Sequence, residues 1–236
     1  MAKKIAFQPS KNLLKSVITK QAGDWRKGIK ELIQNSLDGC AEIKVKPKIT
    51  ITTSSEGNMG YMHYEDNAGG LGKSKEEVQR NFAIFGESYK SDRKDLLGKF
   101  GMGRGQSISM IYNPDKDALD GEIEVWSYGE ISFRIFNLRV DTELSFEIER
   151  IANPARRRGT IWTFKSSFRH FDDTKIASYI ENEFILPNPI IVNGKEIIKK
   201  PEGEKIETPD AFIYIRDSWS DFALYERGLM VRYYTL

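Results

Sequence analysis

The sequence predicts an α+β fold, a sheet with helices over one of its faces. Two observations predict it. Helical patterns dominate the first part of the chain, and from about residue 121 a run of strand patterns follows, separated by turn residues. At 236 residues, 39% hydrophobic and 30% charged, the chain has the composition of a globular protein with room for one large domain, or one domain and a small extension.

Taken in order, residues 11–20 and 24–39 read as helices, the second with Ile29, Leu32, Ile33 and Leu37 at helical spacing and Gly39 just beyond its end. Residues 41–53 and 59–65 are rich in β-branched and aromatic types, and the Ser54–Asn58 cluster between them predicts a hairpin. Asp66 falls where the second strand ends. A helix is expected from about 75 to 85, with Ser74 and Glu77 in capping-box spacing. Residues 86–100 are polar and lead into a glycine loop and a helix from about 103 to 112. Strands are expected near 121–127, 131–138, 144–151 and 159–165, then a helix near 173–184 and a hairpin turning at Asn193-Gly194. The last 25 residues again read as short strands. The expected organisation is a main domain over 1–185 and a short β-rich extension over 186–236, packed on it or continuous with it.

Charge and cysteine usage narrow the function classes. A net charge of +2 is too balanced to imply nucleic acid or membrane by itself. Cys40 is the single cysteine, so no internal disulfide can form, which fits a reducing compartment. The N-terminus lacks the apolar run of a signal peptide, and no stretch approaches the roughly 20 apolar residues of a membrane span. A cytoplasmic protein is expected. His63 and His170 share no zinc-site spacing with cysteines or carboxylates.

Three segments carry chemistry. In Glu31-Leu-Ile-Gln-Asn35-Ser-Leu-Asp38, a rotation of about 100° per residue brings positions 31, 35 and 38 within roughly 60° of one another. The asparagine carbonyl is a hard neutral ligand suited to Mg²⁺, and a glutamate one turn away can orient and activate a water. The same residues also suit an ordinary solvated helix face. In Asp66-Asn-Ala-Gly69-Gly70-Leu-Gly72, a carboxylate at a strand end can accept from an adenine amine while glycines let backbone pass close to the base. A plain surface turn has the same pattern. Gly72-Lys73-Ser74 imitates the end of a P-loop, but that motif needs glycine five residues before Gly72, and Asn67 stands there. The third segment, Gly98-Lys99-Phe100-Gly101-Met102-Gly103, opens a helix and offers backbone amides to phosphate. Lys90, Lys99 and Arg104 are able to add charge.

These segments, with Gly159-Thr160 on a later strand, resemble the GHKL superfamily: gyrase B subunits, ninety-kilodalton heat-shock chaperones, histidine kinases and MutL-type mismatch-repair ATPases. The resemblance covers roughly residues 10–165. It implies a Bergerat-type two-layer α/β sandwich, with a mixed sheet, helices on one face and a glycine-rich ATP lid. It also implies ATP and Mg²⁺ as cofactors. Glu31 would be the general base or water-orienting residue, Asn35 the Mg²⁺ ligand, and Asp38 a supporting residue near the nucleotide. Asp66 would accept from the adenine amine, with Thr160 supporting the adenine edge and Gly70 in the turn beside it. Gly98, Lys99, Phe100, Gly101, Met102 and Gly103 would form the lid. Ala68 departs from the pattern, since many members have glycine there, and this blurs the subfamily. The Phe85–Lys90 stretch looks somewhat like the MORC and chaperone-like branches.

The resemblance implies an ATPase switch in which nucleotide closes the lid and promotes homodimerisation, driving a chaperone-like, DNA-handling or defence-type machine with a protein partner or client that the sequence does not name. A binding module that needs a partner or further domain for turnover is the alternative, because members commonly receive a phosphate-sensing Lys or Arg from a following domain. Lys195, Lys199, Lys200 and Arg227 are internal candidates. A histidine kinase is disfavoured by the acid at position 31 and by the settings of His63 and His170. Arg156-Arg-Arg158 is the one basic run that raises DNA as a partner, against the reading of a solvated turn.

Overall fold

The computed structural model describes residues 24–83, 103–140, 144–186 and 188–199, with 204–207, 212–215, 221–226 and 229–235 as backbone. The expected helix over 11–20 and most of the glycine lid lie outside these residues. The chain divides into two compact units, Met1–Phe171 and Asp172–Leu236.

In the first unit, helix α1 spans Trp25–Glu42, and its N-terminus is capped by Asp24, whose Oδ1 accepts from the Arg26 N–H at 3.2 Å. Ile29, Leu32 and Ile33 form its buried stripe, as their spacing predicts. The helix runs past Gly39, where the sequence places its end. A Cβ at Gly39 would stand 2.9 Å from Ala68 Cβ, so this glycine serves close approach, not capping. The left-handed residue after the helix is Lys44, φ 55°. The strand expected from 41 therefore begins only at Ile49. Near the other end of α1, a Cβ at Gly28 would stand 2.6 Å from Met110 Sδ and 2.9 Å from the Gln106 carbonyl oxygen.

Strands β1 (Ile49–Glu56) and β2 (Met59–Asp66) form the expected hairpin. Helix α2 follows at Lys75–Ala83. Its Ser74 hydroxyl accepts from the Glu77 N–H at 3.1 Å, while Glu77 reaches back to the Lys73 N–H at 2.8 Å, one residue earlier than a standard capping box. Helix α3 covers only Gly103–Ile108. A 3₁₀ turn (Ser109–Ile111) and strand β3 (Tyr112–Asn113), paired with β4 (Ala118–Leu119), replace the rest of the helix expected to 112. Pro114 favours the extended backbone of Asn113 in β3, because a proline pushes the residue before it toward that region.

Four longer strands complete the sheet: β5 (Gly121–Tyr128), β6 (Ser132–Val140), β7 (Leu144–Ile151) and β8 (Gly159–Ser166). Within this unit the strand order is β1-β2-β8-β5-β6-β7, and every pairing among these six strands is antiparallel. The register aligns Ile51, Tyr64, Trp162, Val125, Ile135 and Ile148 in one row across the sheet. Both helices meet this row, α1 through the Ser36–Tyr64 hydrogen bond and α2 through Phe82, whose ring lies 5.9 Å from that of Trp162. The neighbouring row, Glu65, Ile161, Trp126, Arg134 and Glu149, faces the other way. There Arg134 holds Glu124 with two bonds, at 2.8 and 2.9 Å, and Glu149 with a third at 3.1 Å. The fold is α+β, as the sequence predicts.

In the second unit, helix α4 (Asp173–Glu183) is capped by Asp172, which accepts from the Lys175 N–H at 2.9 Å. The hairpin β9 (Ile190–Val192) and β10 (Lys195–Ile197) turns at Asn193 and Gly194, with φ of 46° and 80°. Both residues are left-handed, as a type I′ turn requires. Two further antiparallel pairs follow, β11 (Glu204–Glu207) with β12 (Phe212–Ile215), and β13 (Asp221–Glu226) with β14 (Leu229–Thr235). Among the described residues no helix is long and apolar enough to cross a membrane.

Candidate functional site

Asp66 ends β2 on the helix side of the sheet and is only 7% exposed. Four donors hold its carboxylate. Oδ1 accepts from the Ala68 N–H at 2.8 Å and the Thr160 N–H at 3.1 Å. Oδ2 accepts from the Thr160 hydroxyl at 2.6 Å and the Ser36 hydroxyl at 3.0 Å. Thr160 is 94 residues away in sequence and Ser36 is 30. An ionised carboxylate has about four acceptor positions, so these donors match its capacity. Burial pushes the Asp66 carboxyl above its ordinary value, and the hydrogen bonds from Thr160, Ala68 and Ser36 pull against that shift.

Gly159 is what lets Thr160 come so close. Its φ is +104°, and a Cβ there would meet the Asp66 carbonyl oxygen and stand 2.6 Å from the Asp66 carbonyl carbon and 2.7 Å from Oδ1. The Gly159-Thr160 pair is thus required jointly, the glycine for backbone approach and the threonine for two donors.

Ser36 fastens α1 to this carboxylate. It is 2% exposed, and its hydroxyl also lies 2.9 Å from the Leu32 carbonyl oxygen and 2.7 Å from the Tyr64 hydroxyl. The residue just before it, Asn35, donates from Nδ2 to Glu31 Oε1 at 2.8 Å. That bond orients the amide, with nitrogen toward Glu31 and carbonyl oxygen turned away. Asp38, one half-turn after Ser36, is buried at 3% exposure. Thus Glu31, Asn35 and Asp38 share the helix that touches Asp66.

The turn after Asp66 is clamped from two sides. Gly70 is left-handed at φ +80°, and a Cβ there would stand 2.8 Å from the Tyr128 carbonyl oxygen. The Leu71 N–H donates to Ser127 Oγ at 2.8 Å, tying the turn to β5. Asn67 faces the opposite segment. Its Oδ1 accepts from the Lys48 N–H at 2.8 Å and the Cys40 thiol at 3.3 Å, and its Nδ2 donates to the Lys46 carbonyl at 3.0 Å. The residue that breaks the P-loop pattern is therefore a clip between the turn and the segment leading into β1. Burial first, and Asp66 second, push the Cys40 thiol up to about 11, so it stays protonated and donates.

Gly98, Lys99, Phe100, Gly101 and Met102 lie outside the described residues, and Gly103 is the first residue of α3. Of the histidines, His63 faces Thr163 Oγ1 at 3.1 Å on the exposed sheet face, and His170 lies 3.5 Å from Ser55 Oγ. In the arginine run, Asn153 clips the turn through Arg157, accepting from its N–H at 2.8 Å and donating to its carbonyl at 2.9 Å.

Motif spacing gives Ser36, Tyr64 and Asn67 no place in the site, although Ser36 stands inside the helical motif. Its signal is a small hydroxyl on the buried stripe of an amphipathic helix. Tyr64 reads as an ordinary inward strand position, and only the fold brings its hydroxyl to Ser36. Comparison with protein-family models and with curated proteins finds no match for this chain.

Proposed function

We propose that this chain binds ATP with Mg²⁺ and hydrolyses it slowly, as a GHKL-type switch in which nucleotide closes the lid and promotes homodimerisation. One observation carries the reading: Ser36 of the helical motif and Thr160 of the late strand meet on the single buried carboxylate of Asp66. The helical motif, the turn opened by Asp66 and the Gly159-Thr160 strand therefore converge, although Thr160 lies 94 residues from Asp66 along the chain. Four of the roles follow from chemistry. Asp66 would accept the exocyclic amine of adenine, and Thr160 would hold the carboxylate toward it. Glu31 would orient the attacking water. Asn35, whose nitrogen donates to Glu31, would hold Mg²⁺ through its oxygen. Mg²⁺, when bound, supplies charge neutralisation at the phosphates.

The four donors on Asp66 also favour a second reading, in which the carboxylate is a structural hub and no base reaches it. A base amine would have to take the place of one of these four donors. Binding of ATP to wild type and Asp66→Asn separates the readings. The nucleotide reading expects affinity to fall at least tenfold in a variant that still folds, whereas the hub reading expects no ATP binding by either. Phosphate release measured on Glu31→Ala tests turnover. Loss of hydrolysis with ATP binding retained is expected, and a wild-type rate would remove Glu31 from the chemistry.

A further inference from the structure

We propose that Tyr64 is a positioning residue for base recognition: through Ser36, its phenol keeps Asp66 an acceptor that selects a 6-amino over a 6-keto purine. This rests on the nucleotide reading above. Tyr64 is 0% exposed, and among the described residues the hydrogen-bond partner of its hydroxyl is Ser36 Oγ at 2.7 Å. A buried hydroxyl proton left unbonded is costly, and a phenol is a far stronger acid than an aliphatic alcohol. The phenol therefore donates and Ser36 accepts. Ser36 then has one proton to give, and two acceptors lie in reach, the Leu32 carbonyl at 2.9 Å and Asp66 Oδ2 at 3.0 Å. The carboxylate is the stronger acceptor because it is charged.

The result is a directed chain from Tyr64 to Ser36 to Asp66, in which each donation strengthens the next. Its direction matters for recognition. A protonated Asp66 would present a donor and match a keto oxygen, while an ionised one matches an amine. The phenol proton also takes an acceptor position on Ser36 that a protonated Asp66 would otherwise use. Among the described residues, the titratable groups set against Asp66 are Tyr64 from β2 and Cys40 from α1, and burial keeps both neutral. The chain of hydroxyls thus joins the hydrogen bonds from Thr160 and Ala68 in opposing the effect of burial on this carboxyl.

The test is calorimetric titration of the full chain with ATP and with inosine triphosphate, which differ at the purine 6-position, from pH 5 to pH 8. Wild type, Tyr64→Phe, Ser36→Ala and Asp66→Asn are compared, so that the titration of the nucleotide itself cancels. Tyr64→Phe is expected to lower ATP affinity about threefold to tenfold and leave inosine triphosphate affinity unchanged. The pH at which ATP binding is half lost should rise by about one unit. Ser36→Ala should do the same, and the double variant should be no worse than Ser36→Ala alone. Circular dichroism establishes folding of each variant; if Tyr64→Phe does not fold, Ser36→Ala decides the matter. A wild-type preference for ATP that is lost in Asp66→Asn but kept, with an unchanged pH midpoint, in Tyr64→Phe and Ser36→Ala overturns the proposal alone. Equal, measurable wild-type affinity for the two nucleotides also overturns the proposal alone, whereas no ATP binding by wild type overturns the nucleotide reading and the proposal with it.

Discussion

Asp66 and Asp120 are two aspartates at the ends of the same sheet, each held by several donors, and their acidities move in opposite directions. Asp120 accepts from Asn113 Nδ2 at 2.9 Å, Lys116 Nζ at 3.0 Å and the Ser167 hydroxyl at 2.7 Å, and its carboxyl is lowered to about 2, chiefly by these hydrogen bonds. Asp66 has four donors, one more, and is nevertheless raised above its ordinary value by burial. The donors of Asp66 are all neutral, whereas Lys116 brings a full charge to Asp120. Counting hydrogen bonds thus does not rank the two carboxylates. Desolvation decides, and it makes Asp66 the group whose charge depends on its immediate partners.

The most damaging way to break the Asp66 arrangement is Gly159→Ala. The added methyl collides with the Asp66 backbone at a left-handed position, and we expect a loss of about 3 kcal/mol or more in urea denaturation. A loss under about 1 kcal/mol would show that the strand end has slack and that Asp66 is not tightly held. Thr160→Val keeps the shape and the backbone donor but removes the 2.6 Å hydroxyl bond. A cost of about 1.5–3 kcal/mol is expected, the range for a hydrogen bond to a charged group. A neutral effect would mean that Oδ2 finds another donor at once.

The pH dependence sharpens the contrast with a smaller effect. Asp120 sits below its ordinary value of 3.8 in the folded chain, so its contribution is complete above that value and is lost as pH falls toward 2. Asp66 sits above 3.8, so its contribution is complete below that value and is lost as pH rises through the folded value. Asp120→Asn should cost roughly 1 kcal/mol at pH 7, and the gap to wild type should close between pH 4 and pH 2 in urea midpoints. A gap that stays constant to pH 2 would show that the charge of Asp120 contributes nothing to stability.

Much of the fold was legible because its signals are local. The stripe of Ile29, Leu32 and Ile33, the Asn193-Gly194 turn and the Ser74–Glu77 spacing each act within a few residues, and each is where its pattern predicts. One reading that failed depends on a distant neighbour. Gly39 looks like a helix end, but Ala68 decides its role, and the helix continues. In the site, Asp66 and Thr160 carry recognisable surroundings and do meet. The Tyr64–Ser36 bond spans 28 residues and joins two side chains that each look like plain core positions. No periodicity encodes such a pairing, because it depends on how α1 rests on β2.

Helix α1 touches its neighbours almost without side chains at two places, Gly28 against Gln106 and Met110, and Gly39 against Ala68. At 1.5 Å per residue these glycines are about 16 Å apart along the axis. At both places the helix contributes backbone alone, and what it meets is the Met110 side chain and Gln106 carbonyl at one end and the Ala68 methyl at the other. A side chain added at either glycine would therefore move α1 off its seat, at 106–110 for Gly28 and at the turn after Asp66 for Gly39.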